Sequence, residues 1–146
     1  MSEKRVTIVE KILSEKWGSD VKAGQMVEIE PDVAISNDNT ADISNKFYNI
    51  GVDEVYDPDK HVIILDHITP AAYAKSAQNH KVIREFVKKQ GIKKFYDIEH
   101  GICHQVIHEK GHVYPGALIV GSDSHTTSYG AFGAFSCGIG RSEMAV

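Results

Sequence analysis

Apolar and polar positions along this chain change period several times, and each change marks an element. Thr7 followed by Glu10 makes a capping box, and Ile8, Val9, Ile12 and Leu13 then recur at helical spacing up to Gly18. Val27 and Ile29, then Val33 and Ile35, alternate with polar residues and predict strands interrupted at Pro31. From Thr40 the period returns to that of a helix, with a stripe of Ile43, Phe47 and Ile50 closed by Gly51. The run from Val62 to Leu65 is apolar throughout, as in a strand buried on both faces, and it ends at Asp66-His67. Pro70 is expected to open a long helix that reaches Gln90, with Gly91 as its C-terminal cap. A short strand from Ile92 to Ile98, a helix from Gly101 to Lys110 stopped by Gly111, and a strand from Leu118 to Val120 follow. Residues 141 to 146 read as the first turns of a further helix with no stop signal, so the chain is expected to be the N-terminal fragment of a longer protein.

Strands that alternate with helices, and are apolar along their whole length, imply a parallel sheet covered on both sides. The expected fold class is therefore α/β, a three-layer α/β/α arrangement with a mainly parallel sheet, in one domain over residues 1–146. Composition narrows the function classes. The net charge is −4, from 16 Lys+Arg against 20 Asp+Glu, which gives no general attraction to nucleic acid or to an anionic membrane. No apolar run approaches the roughly 20 residues that span a bilayer, and residues 1 to 16 lack a signal-peptide core. Two cysteines, Cys103 and Cys137, make no disulfide framework, which fits a reducing cytoplasm.

The chemistry concentrates in residues 121 to 140, GSDSHTTSYGAFGAFSCGIG. Asp123, Ser124 and His125 follow the apolar run Ala117-Leu118-Ile119-Val120 and lead into glycines at 130, 133, 138 and 140. Open α/β sheets place ligands just outside the carboxyl ends of their strands. Taken alone, Asp66-His67 reads as a surface acid beside a turn histidine; a second strand ending in acid plus histidine favours a shared crevice instead. A carboxylate beside an imidazole fixes its tautomer and raises its basicity for proton transfer. His100, His104, His108 and His112 recur every four residues, a spacing that stacks side chains on one helix face and suits zinc. The flanking Gly101 and Gly111 take His100 and His112 off that stripe, and no H-E-x-x-H or C-x-x-C supports a zinc site. The glycine ladder has neither the P-loop nor the dinucleotide-binding order, and close backbone packing is its more economical use.

The 121–140 block resembles the G-x-D-S-H-T, G-A-x-G-A and G-x-G signature of the aconitase family, whose members include aconitase, homoaconitase and 3-isopropylmalate dehydratase. Asp66-His67 in ILDHITPA, His104 in GICHQV and the early Asn37-Asp38-Asn39-Thr40 element are similar to family segments in the same order. The resemblance implies an aconitase-domain-like fold and a hydro-lyase that moves water across a hydroxy di- or tricarboxylic acid, with 3-isopropylmalate dehydration in leucine biosynthesis foremost and homoaconitase or aconitase chemistry as the alternative. It implies a [4Fe–4S] cluster in the full-length protein, with cluster cysteines beyond Val146 and no cluster held by this fragment. It implies a separate small subunit, and a serine base that lies on that subunit or on a distant domain. By the match, His67 protonates the leaving hydroxyl steered by Asp66, His104 pairs with Asp123, Ser124 binds substrate, His125 pairs with an acid beyond residue 146, and Asn37 reaches substrate. The isolated fragment is expected to be inactive, and to self-associate or to have mobile loops around residues 122 to 146. From a different class, a non-catalytic small-molecule or metal-binding module remains the alternative.

Overall fold

The computed structural model describes residues 6–146; the first five positions of the segment 1–16 lie outside the described residues. In chain order the elements are α1 (Ile8–Trp17), β1 (Val33–Ser36), α2 (Thr40–Asn49), β2 (His61–Ile64), α3 (Ala74–Gln90), β3 (Lys94–Tyr96), α4 (Cys103–Glu109), β4 (Leu118–Gly121), β5 (Phe135–Gly138) and α5 (Arg141–Ala145). All strand pairs are parallel, in the order β3-β2-β1-β4-β5. The order reverses between β1 and β4. At that switch point the connections leave in opposite directions and open a crevice at the carboxyl ends of the strands.

Successive side chains of a strand point to opposite faces, and the sheet accordingly separates two cores, with β2 feeding both. Val33, Ile35, Val62, Ile64 and Ile119 pack on one face with Cys103, Val106 and Ile107 of α4 and with Tyr129. Ile63 and Leu65 pack on the other face with Ala41, Ile43 and Phe47 of α2, Ile83, Phe86 and Val87 of α3, and Ala145 of α5. The α/β class and the layered arrangement expected from the apolar strands are thus present. Among the described residues no helix is long and apolar enough to cross a membrane.

Several boundaries differ from the sequence expectation. Val27 and Ile29 do alternate with exposed Glu28 and Glu30, but they form no strand; β1, which follows them, pairs with β2 and β4. The helix expected from Pro70 begins at Ala74: Tyr73 is extended (φ −139°, ψ 155°), and Ala71 and Ala72 are exposed, with no packing to reward helix formation there. The helix expected to begin at Gly101 is shorter, from Cys103. The strand expected over residues 92 to 98 is reduced to Lys94–Tyr96. The α1 capping box is present, with the Glu10 N–H on Thr7 Oγ1 at 3.1 Å and the Thr7 N–H on the Glu10 carboxylate at 2.8 Å. Of its apolar stripe only Ile12 is buried.

Leu118–Gly121 is not the last strand, because β5 follows it. That edge strand escapes the sequence pattern since its side chains are half-buried or exposed and show no alternation. Between the two runs a 3-10 stretch, Ser124–Phe132. The glycine ladder makes this fold-back sterically possible. Gly121 and Gly138 are paired across β4 and β5. A Cβ on Gly138 would stand 2.8 Å from the Asp123 carbonyl oxygen, and one on Gly121 would press into Thr126 and Ile35. Backbone packing is therefore the observed use of these glycines. Gly121→Ala is expected to destabilise the fold by about 1–3 kcal/mol through overpacking. Gly130→Ala, whose Cβ meets nothing within 4 Å, should change stability by less than about 0.5 kcal/mol. Urea denaturation of both variants checks this, and equal effects would contradict the packing argument.

Candidate functional site

Three strand ends supply the polar residues of the crevice. The turn after β1 carries Asn37, Asp38 and Asn39; the turn after β2 carries Asp66 and His67; the turn after β4 carries Ser122, Asp123 and Ser124. A cleft of about 560 Å³ is lined by Asn37, Asn39, His67, Ser122, Asp123 and Arg141, among others. Short loops on a buried sheet give these side chains a rigid base at a wet edge.

Asp123 is the node. Its Oδ2 lies 3.2 Å from His67 Nε2 and its Oδ1 lies 3.0 Å from His104 Nε2. The same Oδ1 accepts the His125 backbone N–H at 2.7 Å, as the N-cap of the 3-10 stretch. Burial alone would raise the Asp123 carboxyl, but the His125 N–H and the charges of His104, His67 and His125 outweigh it and hold the group below the usual carboxylate range.

His67 stands between two acids. Its Nδ1 is 2.6 Å from Asp66 Oδ1, opposite the Nε2 contact with Asp123. Partial burial pulls its basicity down, yet the hydrogen bonds and charges of Asp66 and Asp123 exceed that effect and raise it above the ordinary imidazole value. The imidazolium is the form that donates to both carboxylates. Asp66 is fixed in turn, because its Oδ2 accepts the Cys103 N–H at the start of α4 at 2.7 Å. The Asn37 amide nitrogen lies against the His67 ring, 3.2 Å from Nδ1.

His104 reaches Asp123 from α4, through Oδ1. Its Nδ1 is 2.9 Å from the Tyr129 hydroxyl. Tyr129 is 1% exposed, and burial, followed by the nearby acidic groups, pushes its phenol strongly upward. It therefore stays protonated and donates to Nδ1, which leaves the His104 Nε2–H for Asp123. His125 occupies the rim: its side chain is 78% exposed, with Nδ1 3.4 Å from Asp123 Oδ1 and 3.4 Å from Ser124 Oγ. The structure thus brings Asn37, Asp66, His67, His104, Asp123, Ser124 and His125 to one strand edge, His125 facing outward.

The four-residue histidine ladder breaks up. His104 joins the crevice, while His108 stacks on Phe132 with centroids 4.6 Å apart. His112 Nε2 is 2.6 Å from the Tyr96 hydroxyl, and His100 meets the Tyr96 ring edge-on. Asp66, His67 and Cys103 lie close enough together for a metal ion, as do His104, Asp123 and His125, but hydrogen bonds within the protein already use these carboxylates. Nor do the cysteines suit an iron–sulfur cluster, which needs several thiolates. Cys103 is 1% exposed, and burial, then Asp66, pushes its thiol far upward, so it stays protonated. Cys137 is exposed on the edge strand. Among the described residues the two thiols do not fit the cluster.

Sequence reading passed over His80, Tyr129 and Ser122. His80 was detectable as one of three polar members (Ser76, His80 and Gln90) of the buried α3 stripe that also holds Ile83 and Val87. Ser122 and Asn39 hold two turns together, through Ser122 Oγ to Asn39 Oδ1 at 2.7 Å and Asn39 Nδ2 to the Ser122 carbonyl at 2.9 Å. No local pattern signals such a pair.

A doubly wound parallel sheet with linked acid–histidine pairs at its switch point is the frame of an α/β enzyme-type domain. A match to the Aconitase family (aconitate hydratase) covers residues 10–146. The chain belongs to the aconitase family. It is 50% identical over 143 residues, 97% of its length, to the probable 3-isopropylmalate dehydratase large subunit of Methanothermobacter thermautotrophicus. It is 51% identical over 140 residues to the 3-isopropylmalate dehydratase large subunit 1 of Methanopyrus kandleri, covering 95% of this chain. To the methanogen homoaconitase large subunit of Methanocaldococcus jannaschii it is 44% identical over 140 residues, 96% of this chain. The chain spans about a third of the length of these relatives, 34%, 34% and 33%.

The raised His67 and the lowered Asp123 set the pH window of their ion pair. The imidazolium is present below the ordinary imidazole value and is lost as pH rises through the raised midpoint; the carboxylate is lost as pH falls through the lowered one. Asp66→Asn and Asp123→Asn are each expected to lower the His67 midpoint, read by NMR titration of the ring. A midpoint unmoved in both variants would contradict the two-acid assignment.

Proposed function

We propose that this chain works as the opening third of a two-subunit aconitase-family hydro-lyase, with dehydration and rehydration of 3-isopropylmalate as its reaction and leucine biosynthesis in the cytoplasm as its setting. The arrangement that carries this reading is the line Asp66–His67–Asp123–His104 at the sheet switch point. Elimination of water from a hydroxy acid needs a proton for the departing hydroxyl. An imidazolium held between two carboxylates is a positioned acid for it. In this reading Asp66 orients His67, Asp123 keeps the His67 and His104 rings in register, and Ser124, Asn37 and the outward His125 meet the substrate.

The names of the relatives at 44–51% identity support the two-subunit subgroup, with homoaconitase-type chemistry on a longer tricarboxylic substrate as the other member. The small subunit, the base that removes the carbon-bound proton and the [4Fe–4S] cluster belong, in this proposal, to parts beyond these residues.

Two measurements test it. A large subunit carrying this segment, assayed with its small subunit, should form the unsaturated acid from 3-isopropylmalate, and His67→Ala should lower kcat by about 10²-fold or more. Full activity in that variant, or turnover of neither 3-isopropylmalate nor homocitrate, would sink the assignment. The chain alone, treated anaerobically with iron and sulfide, should give no stable cluster absorbance, since one thiol is buried and protonated. A stable [4Fe–4S] spectrum would overturn the placement of the cluster elsewhere.

A further inference from the structure

Asp38, which lines the crevice, forms a buried pair with His80, and each is 4% exposed. His80 Nε2 lies 2.7 Å from Asp38 Oδ1. The second oxygen, Oδ2, accepts two consecutive backbone N–H groups, from Asp66 at 3.0 Å and from His67 at 2.7 Å. These are the first residues beyond Leu65, where the β2 chain leaves the sheet. A carboxylate out of reach of water must be compensated by donors, and here one ring N–H and two amides do so.

We propose that Asp38 and His80 are positioning residues: they clamp the Asp66–His67 turn and thereby set where the His67 ring stands relative to Asp66 and Asp123. The geometry distinguishes this from simple core filling. Both N–H groups of the turn end on a single oxygen, so a shift of that oxygen displaces the backbone of both residues together. His80 holds the other oxygen, Oδ1, from the buried stripe of α3 and so fixes the orientation of the whole carboxylate. Asn37, next to Asp38, lies against the same imidazole ring, so the β1 turn touches His67 through both backbone and side chain. Asp38 borders the cleft, but its carboxylate oxygens bond only to His80 and to the two turn amides, so the action of the pair on the His67 ring is indirect. The importance of the clamp for catalysis rests on His67 being the proton donor proposed above, whereas the clamp itself is testable without substrate.

The test is NMR on this chain. His80→Leu removes the donor at similar volume; His80→Gln keeps an N–H donor on a flexible stem. In His80→Leu the amides of Asp66 and His67 should exchange about tenfold faster, the scale of one lost net hydrogen bond, while those of Val62 and Ile64 stay as in the parent. The His67 ring nitrogen shifts and titration midpoint should move in the same variant, and His80→Gln should restore most of both. Unchanged exchange and an unchanged His67 ring in a folded His80→Leu protein would overturn the proposal and leave the pair as packing. Should that variant fail to fold, the parent protein decides. Slow exchange at both amides, with a His80 Nε2 that carries its proton, is expected; rapid exchange at either amide refutes the clamp. Loss of turnover in the substrate assay with an intact clamp would instead count against the proposed function.

Discussion

Charge removed from water has to be met by charge or by hydrogen bonds, and at the carboxyl edge of this sheet that constraint organises everything else. Three acids, Asp38, Asp66 and Asp123, each end a different strand connection, and each carboxylate is held by donors from a distant part of the chain. Asp38 takes two turn amides and a helix histidine. Asp66 takes the first amide of α4 and the His67 ring. Asp123 takes the rings of His67 and His104 and the amide of its own cap. The acids thereby tie β1, β2, β4, α3 and α4 to one crevice.

The parallel sheet is what allows this. Every strand runs the same way, so every strand's carboxyl end lies on one edge, and the reversal of order at β1 and β4 opens a crevice there. The two apolar cores on either face hold the strand ends rigid. The glycines at 121 and 138 let β5 and the 3-10 stretch fold down close enough to set Asp123 over the crevice. Function follows from placement: an imidazole that would be half-charged near neutrality in water is biased toward its charged form by two acids from two strands.

Much was legible from local pattern. The continuous run before Asp66 marks a buried strand because both of its faces are covered, and burial on both faces leaves no polar positions. The capping box at Thr7 and the left-handed glycines at 18 and 91 were readable because caps depend on a few adjacent residues. The acid–histidine candidates stood out for the same reason, each directly following an apolar strand. What failed locally failed for lack of a partner. Val27–Ile29 has strand alternation and pairs with no strand; Pro70–Tyr73 has helix formers and is largely exposed; β5 has a partner and no pattern.

The sequence by itself determined the α/β class, the set of strands that can be buried and the chemical types at their ends, because those depend on period and on neighbours in the chain. Only the tertiary structure decided which acid meets which imidazole. Asp123 joins His67 and His104 from 56 and 19 positions away, and Asp38 reaches His80 across 42. Those pairings carry no local signal; they arise when burial of the strands brings their ends together and each carboxylate must find its donors there.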